Sequence, residues 1–169
     1  MLEKAAGESS IVGLVDMLVT RGVMENASDI HIEPDEDTLR VRYRVDGLLH
    51  ETVNLPLKIH PAVVSRVKIL SDINIAEKRL PQDGRFIANI AGRDIDVRVS
   101  TLPTIFGEKT VLRLLDKSKM ILEIESLTPM PETLEIITKV IKRPFGMILL
   151  TGPTGSGKTT TAYTLLNML

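Results

Sequence analysis

The 169-residue sequence contains no cysteine and no tryptophan. Without cysteine there is no disulfide framework, no thiolate zinc site and no cysteine nucleophile, and the composition fits a reducing compartment. Aromatics are scarce, with 3 Phe and 2 Tyr, so stacking platforms for single-stranded nucleic acid are lacking. An excess of one charge is lacking too. Lys+Arg at 21 against Asp+Glu at 22 leaves a formal charge of -1, which supplies no global attraction to nucleic acid. The longest apolar stretches, such as Met147–Leu150, fall far short of the ~20 residues of a membrane span. Met1–Ser10 carries Glu3 and Glu8 and no apolar core, so it does not read as a secretory signal. There is no internal repeat and no low-complexity segment. What is present is 43% hydrophobic and 25% charged, ordinary for a chain that buries a core. The expectation is a soluble, cytoplasmic protein of one domain, or one domain plus part of another.

Hydrophobic periodicity divides the chain. Ile11, Val12, Leu14, Val15, Leu18, Val19 and Val23 share one helical face, with Ser9 or Ser10 as N-cap and Gly22 and Asn26 near the end. The period then becomes two. Ile30 and Ile32 alternate with Asp29, His31 and Glu33; after a turn at Pro34–Asp37, Leu39, Val41, Tyr43 and Val45 alternate with Arg40, Arg42 and Arg44. This predicts an antiparallel hairpin with one face buried, and Asp46-Gly47 a second tight turn into Leu48–Val53. Pro61 opens a helix with Val63, Val64, Val67, Leu70 and Ile73 on one face. Lys78–Gly84 reads as a loop. Arg85–Ile90 and Arg93–Val99 form a hairpin around Ala91-Gly92, and a loop at Leu102–Gly107 leads to a strand at Lys109–Leu115. Helix, three strands, helix, three strands is an α+β domain with a largely antiparallel sheet. Its expected limits are 11–119, after a tail at 1–10. A linker and helix follow at 120–143, with Pro131 at the helix start and Leu134, Ile137, Val140 and Ile141 on its apolar face.

The last region, 144–169, carries the sharpest motif. Met147–Leu150 is continuously apolar, the pattern of a strand buried on both faces of a parallel sheet. Gly152-Pro153-Thr154-Gly155-Ser156-Gly157-Lys158-Thr159 follows and satisfies G-x-x-x-x-G-K-[ST], and a helix from Thr160 comes next. Average residue frequencies give a chance match of about half a per cent in a chain this long. The physical logic is that glycines let successive N–H groups turn inward around a polyphosphate, with the helix N-terminus behind them. Lys158 then reaches the β- and γ-phosphates and Thr159 ligates Mg²⁺, so ATP and Mg²⁺ are the expected cofactors. Gly152 to Thr160 are the candidate phosphate-binding residues. A parallel sheet needs neighbours, so a nucleotide domain is expected to require roughly 100 further residues. The chain is expected to be truncated, with an intact first domain, a frayed final strand and helix, and no turnover alone.

Five stretches in order carry a family resemblance: Ser28-Asp29-Ile30-His31-Ile32-Glu33-Pro34, Arg42-Tyr43-Arg44-Val45-Asp46-Gly47, Arg79-Leu80-Pro81-Gln82-Asp83-Gly84-Arg85, Asp96-Val97-Arg98-Val99-Ser100-Thr101-Leu102-Pro103 and Gly107-Glu108-Lys109. From about Val12 to Leu169 the sequence resembles the traffic ATPases of type II secretion (general secretory pathway E) and type IV pilus extension. Retraction motors are similar but are not usually written with the R-L-P-Q-D-G-R stretch. The resemblance implies a PAS-like N2 domain linked to a RecA-like P-loop ATPase domain. It implies a cytoplasmic hexamer, peripheral to the inner membrane through secretion or pilus platform proteins, with neither nucleic acid nor membrane insertion. The sequence departs from the family in lacking the acidic box, Walker B, His box, cysteine-rich zinc motif and N1 region.

The resemblance also implies that Arg85 and Arg98, and secondarily Arg79 and Arg113, lie near the nucleotide phosphates, a role suited to guanidinium chemistry. The plainer alternative pairs Arg98 with Asp94 and Asp96 on its own strand. Asp29, His31 and Glu33 make a poor metal site, because same-face residues on a strand splay apart; solvated pairs with Arg40, Arg42 and Arg44 are the expectation. That arginine ladder lacks the interleaved aromatics of a nucleic-acid surface. His50 and His60 read as structural. A module that only binds partners, without nucleotide turnover, is the alternative to a motor fragment.

Overall fold

The computed structural model describes residues 8–116, 124, 127, 130–153 and 156–169. The chain divides into two compact units, Met1–Leu115 and Asp116–Leu169. In the first, α1 (Glu8–Met24) precedes β1 (Asp29–Pro34), β2 (Thr38–Val45) and β3 (Leu48–Pro56). Next come α2 (His60–Leu70), β4 (Gln82–Ile90), β5 (Arg93–Thr104) and β6 (Gly107–Asp116). The strands form one six-stranded sheet in the order β3-β2-β1-β6-β5-β4. The β1–β2, β1–β6, β2–β3 and β4–β5 pairings are antiparallel.

Period-two alternation puts Ile30, Ile32, Leu39, Val41, Tyr43, Val97, Val99 and Leu112 on one face. They form a single core with Leu14, Val15, Leu18 and Val19 of α1 and Val63 and Val67 of α2. Tyr43 donates its hydroxyl hydrogen to the Leu18 carbonyl at 2.8 Å, tying sheet to helix. The turns at Asp46-Gly47 and Ala91-Gly92 have all four residues at positive φ, the conformation that tight hairpins need.

The differences from expectation concern where order begins and ends. The expected loop Lys78–Gly84 is shorter, because Gln82, Asp83 and Gly84 pair with Thr101, Ser100 and Val99. β5 runs on to Thr104 and β6, its neighbour in the sheet, begins at Gly107, which narrows the loop expected at Leu102–Gly107 to Ile105-Phe106. β1 is buried along its whole length rather than on one face, since it lies between β2 and β6 in mid-sheet.

In the second unit, α3 (Pro131–Ile141) and α4 (Lys158–Leu166) form. The strand expected at Met147–Leu150 does not: these residues have no regular secondary structure and are exposed. A strand apolar on both faces needs neighbours to hydrogen-bond and cover it, and none of the described residues does so. The helix expected to fray with it is nevertheless formed.

Candidate functional site

The polar face of the sheet opposes the helices. Asp29, His31 and Glu33 of β1 are only 5%, 9% and 7% exposed, which corrects the expectation of solvated pairs. Neighbouring strands bury them. From β2, Arg42 Nε donates to Glu33 Oε2 at 2.9 Å and Arg44 Nε lies 3.4 Å from Asp29 Oδ2. Arg40 instead pairs with Asp35 at 3.0 Å. From β6, Lys109 pairs with Glu33, and Arg113 Nε donates to Asp29 Oδ1 at 2.9 Å. Burial pushes the Asp29 carboxyl up, but hydrogen bonds from Arg113 and Ser28, together with nearby positive charge, leave it below its ordinary value. Glu33 follows the same logic with Lys109 and Arg42.

His31 sits between these acids with neither ring nitrogen hydrogen-bonded among the described residues; Nδ1 is 3.8 Å from Glu33 Oε1. Burial holds its imidazole below the ordinary value. Glu33 opposes that effect, Lys109 and Arg44 reinforce it, and Asp29 opposes it. The unfolded chain therefore takes up this proton first, near pH 6.5. The stability contribution is complete above that pH and is lost as pH falls toward the lower folded value. Urea midpoints should drop between about pH 7.5 and about pH 5.5, and His31→Gln should shrink the drop. An unchanged pH dependence in the variant would show that His31 is not the group responsible.

Beside Asp29 the polar face opens into a cavity of about 560 Å³ lined by Arg85, Arg98 and Arg113 with Asp83 and Ser100. Arg85 and Arg98 are direct cross-strand partners. Like charges placed opposite each other destabilise a sheet unless something neutralises them. Among the described residues neither side chain makes an ion pair or hydrogen bond, so the pairing of Arg98 with Asp94 and Asp96 is not formed; Asp94 instead accepts from Asn89 at 2.7 Å. Ser100 donates its hydroxyl hydrogen to Asp83. Arg79 stands apart: its side chain is 90% exposed, 3.7 Å from Glu77. Three guanidinium groups facing one open cavity suit an anion with several oxygens.

In the second unit, Gly152 and Gly157 take φ angles of 149° and 84°, and a Cβ on Gly152 would meet Ser156 Oγ at 2.6 Å. Gly157 caps α4, so Lys158, Thr159 and Thr160 occupy its first turn. Lys158 Nζ donates to the carbonyls of Gly152 at 2.8 Å and Pro153 at 2.6 Å. Thr159 is exposed at the helix start. Thr154 and Gly155 lie outside the described residues. An ammonium held by two loop carbonyls, an exposed Thr159 and glycines at positive φ are a donor set that fits a magnesium polyphosphate.

Residues 4–169 match the family model described as type II/IV secretion system protein. The chain belongs to that family. Among curated proteins it is 48% identical over 168 residues to the type II secretion system protein E of Xanthomonas campestris, covering 99% of this chain and 30% of that protein. It is 46% identical over 169 residues to the type IV pilus assembly ATPase PilB of Myxococcus xanthus, covering 99% and 30%. The secretion family chain thus spans about a third of the curated relatives it matches. Of solved structures, the pilus retraction motor PilT with bound ADP superposes with a TM-score of 0.59 at 21% identity, over 90% of this chain and 42% of PilT. The Legionella pneumophila ATPase DotB gives 0.59 at 19% identity, over 90% and 41%. These two likenesses concern the fold. No helix among the described residues of the secretion family chain is long and apolar enough to cross a membrane.

What sequence reading missed is the partnership of β6 with β1. Arg113 and Asp29 are 84 positions apart, and no local period signals their contact. A second omission is the buried pair of Lys68 and Glu108, where Lys68 also donates to the Glu77 carbonyl at 2.6 Å.

Proposed function

We propose that this chain is part of a hexameric ATPase that binds ATP with Mg²⁺ and powers type II protein secretion or type IV pilus assembly. The observation that carries the reading is the opposed Arg85/Arg98 pair, which has no partner among the described residues, in a chain that also holds a complete Gly152–Thr159 phosphate loop. Lys158 leaves the loop carbonyls to meet the β- and γ-phosphates, and Thr159 contributes its hydroxyl to the magnesium ion. The cation lowers the charge the phosphates present, and the loop N–H groups and α4 dipole orient them. Arg85 and Arg98 of the PAS-like N2 unit add guanidinium groups suited to phosphate oxygens. In the hexamer, the work of ATP hydrolysis by the RecA-like units is passed to inner-membrane platform proteins from the cytoplasmic side.

A titration of Mg-ATP into the chain, with Lys158→Ala as control, tests this. Saturable binding that the variant loses by tenfold or more (on the order of 1.4 kcal/mol) is the expected result. Equal binding by both proteins would sink the phosphate-loop role. Absence of binding by both would favour the reading as an interaction module, for which the exposed Met147–Leu150 segment is the supporting observation.

A further inference from the structure

The arginines of the cavity are not held alike. Arg85 and Arg98 have no partner among the described residues, whereas Arg113 is anchored through Nε alone. Its anchor is the Asp29 carboxylate, buried in mid-sheet and itself fixed by Ser28 Oγ, which donates to Oδ2 at 2.8 Å. A guanidinium has five N–H donors in a planar fork. Asp29 takes the one at Nε, and the four on the terminal nitrogens have no partner among the described residues. The side chain is 65% exposed and lines the same cavity as Arg85 and Arg98. A carboxylate that paired with the fork end-on would have taken one donor from each terminal nitrogen and covered its open end. Engaged from the side, it sets the plane of the fork and leaves its end open.

We propose that Asp29 is a positioning residue that makes Arg113 the third anion ligand of the Arg85/Arg98 cavity. The inference rests on reading that cavity as a phosphate site. Asp29 carries negative charge beside a site for an anion, so its electrostatic effect and its orienting effect on binding have opposite signs. That opposition supplies the test.

Inorganic tripolyphosphate is titrated at low salt into the full chain carrying Lys158→Ala, which removes the ammonium of the phosphate loop. Arg113→Lys keeps the charge but loses the fork; Asp29→Asn removes the negative charge and the anchor. Each should weaken binding about five- to tenfold, and the two together no more than one alone. Asp29→Glu, which keeps the charge and displaces the anchor, should also weaken binding and serves if the asparagine variant unfolds. Tighter binding in Asp29→Asn, or unchanged binding in Arg113→Lys, overturns the inference even while Arg85→Ala and Arg98→Ala weaken binding and so uphold the cavity. No binding at all, or binding indifferent to Arg85→Ala and Arg98→Ala, overturns the phosphate reading of the cavity and the inference with it.

Discussion

Glu108→Ala should destabilise the antiparallel domain by about 3–5 kcal/mol, the usual consequence of leaving one half of a buried ion pair behind. Lys68 is 1% exposed on α2, and the Glu108 carboxylate on β6 is its only anionic partner among the described residues. Removing that carboxylate leaves a buried ammonium with the Glu77 carbonyl as its remaining acceptor among the described residues. Nothing in the pair is needed for its own sake, however. Lys68→Met combined with Glu108→Leu keeps the volume and removes both charges, so it should recover most of the loss. Urea unfolding of the two single variants and the double decides the matter. If Glu108→Ala cost under about 1 kcal/mol, solvent would have to enter beside Lys68.

A second tie holds the start of β6 to α2 through the backbone of Glu108, which the alanine variant keeps. Its carbonyl accepts a hydrogen bond from His60 Nε2 at 2.8 Å, and the His60 ring packs against Gly107. β6 in turn brings Lys109 and Arg113 to the acids of β1. The buried pair therefore stands behind the register of the strand that supplies one wall of the cavity.

The alternation of Leu39, Val41 and Tyr43 and the Asp46-Gly47 turn announce a strand and hairpin directly, because backbone pleat and turn sterics act over a few residues. So do the helical stripes of α1 and α2 and the glycine-bounded loop before Lys158. The acidic face of β1 was legible as a composition but not as an environment. Asp29, His31 and Glu33 look solvated when only β2 is considered, and they become buried once β6 closes the other side. Sequence reading likewise named Arg85, Arg98, Arg113 and Arg79 together. Only the sheet order separates Arg79, on a loop, from the other three around one cavity. The strand expected at Met147–Leu150 failed for the converse reason. Its apolar run encodes the faces it wants covered, but pairing partners are a tertiary matter that no local pattern provides.

The second large effect is expected from Gly84→Ala, with a loss of about 2–3 kcal/mol by overpacking. A Cβ at this position would lie 2.3 Å from the Ser71 carbonyl oxygen and 2.6 Å from Ile73 Cγ1. The first of these is backbone, held where α2 ends, and it already accepts from the Arg85 N–H at 3.3 Å. It cannot retreat without moving the segment that closes the core over Ile73, so the strand moves instead. Because Asp83 and Arg85 flank Gly84, the displacement should also misplace Arg85 and weaken tripolyphosphate binding in the variant that still folds. Gly13→Ala provides the contrast: its Cβ meets nothing within 4 Å on an exposed helical position, and it should add up to about 1 kcal/mol. Opposite signs from the same chemical change would show that close approach, and not glycine content, is what the R-L-P-Q-D-G-R stretch supplies. A neutral Gly84→Ala would mean that β4 can slide away from α2, and with it the wall that carries Arg85.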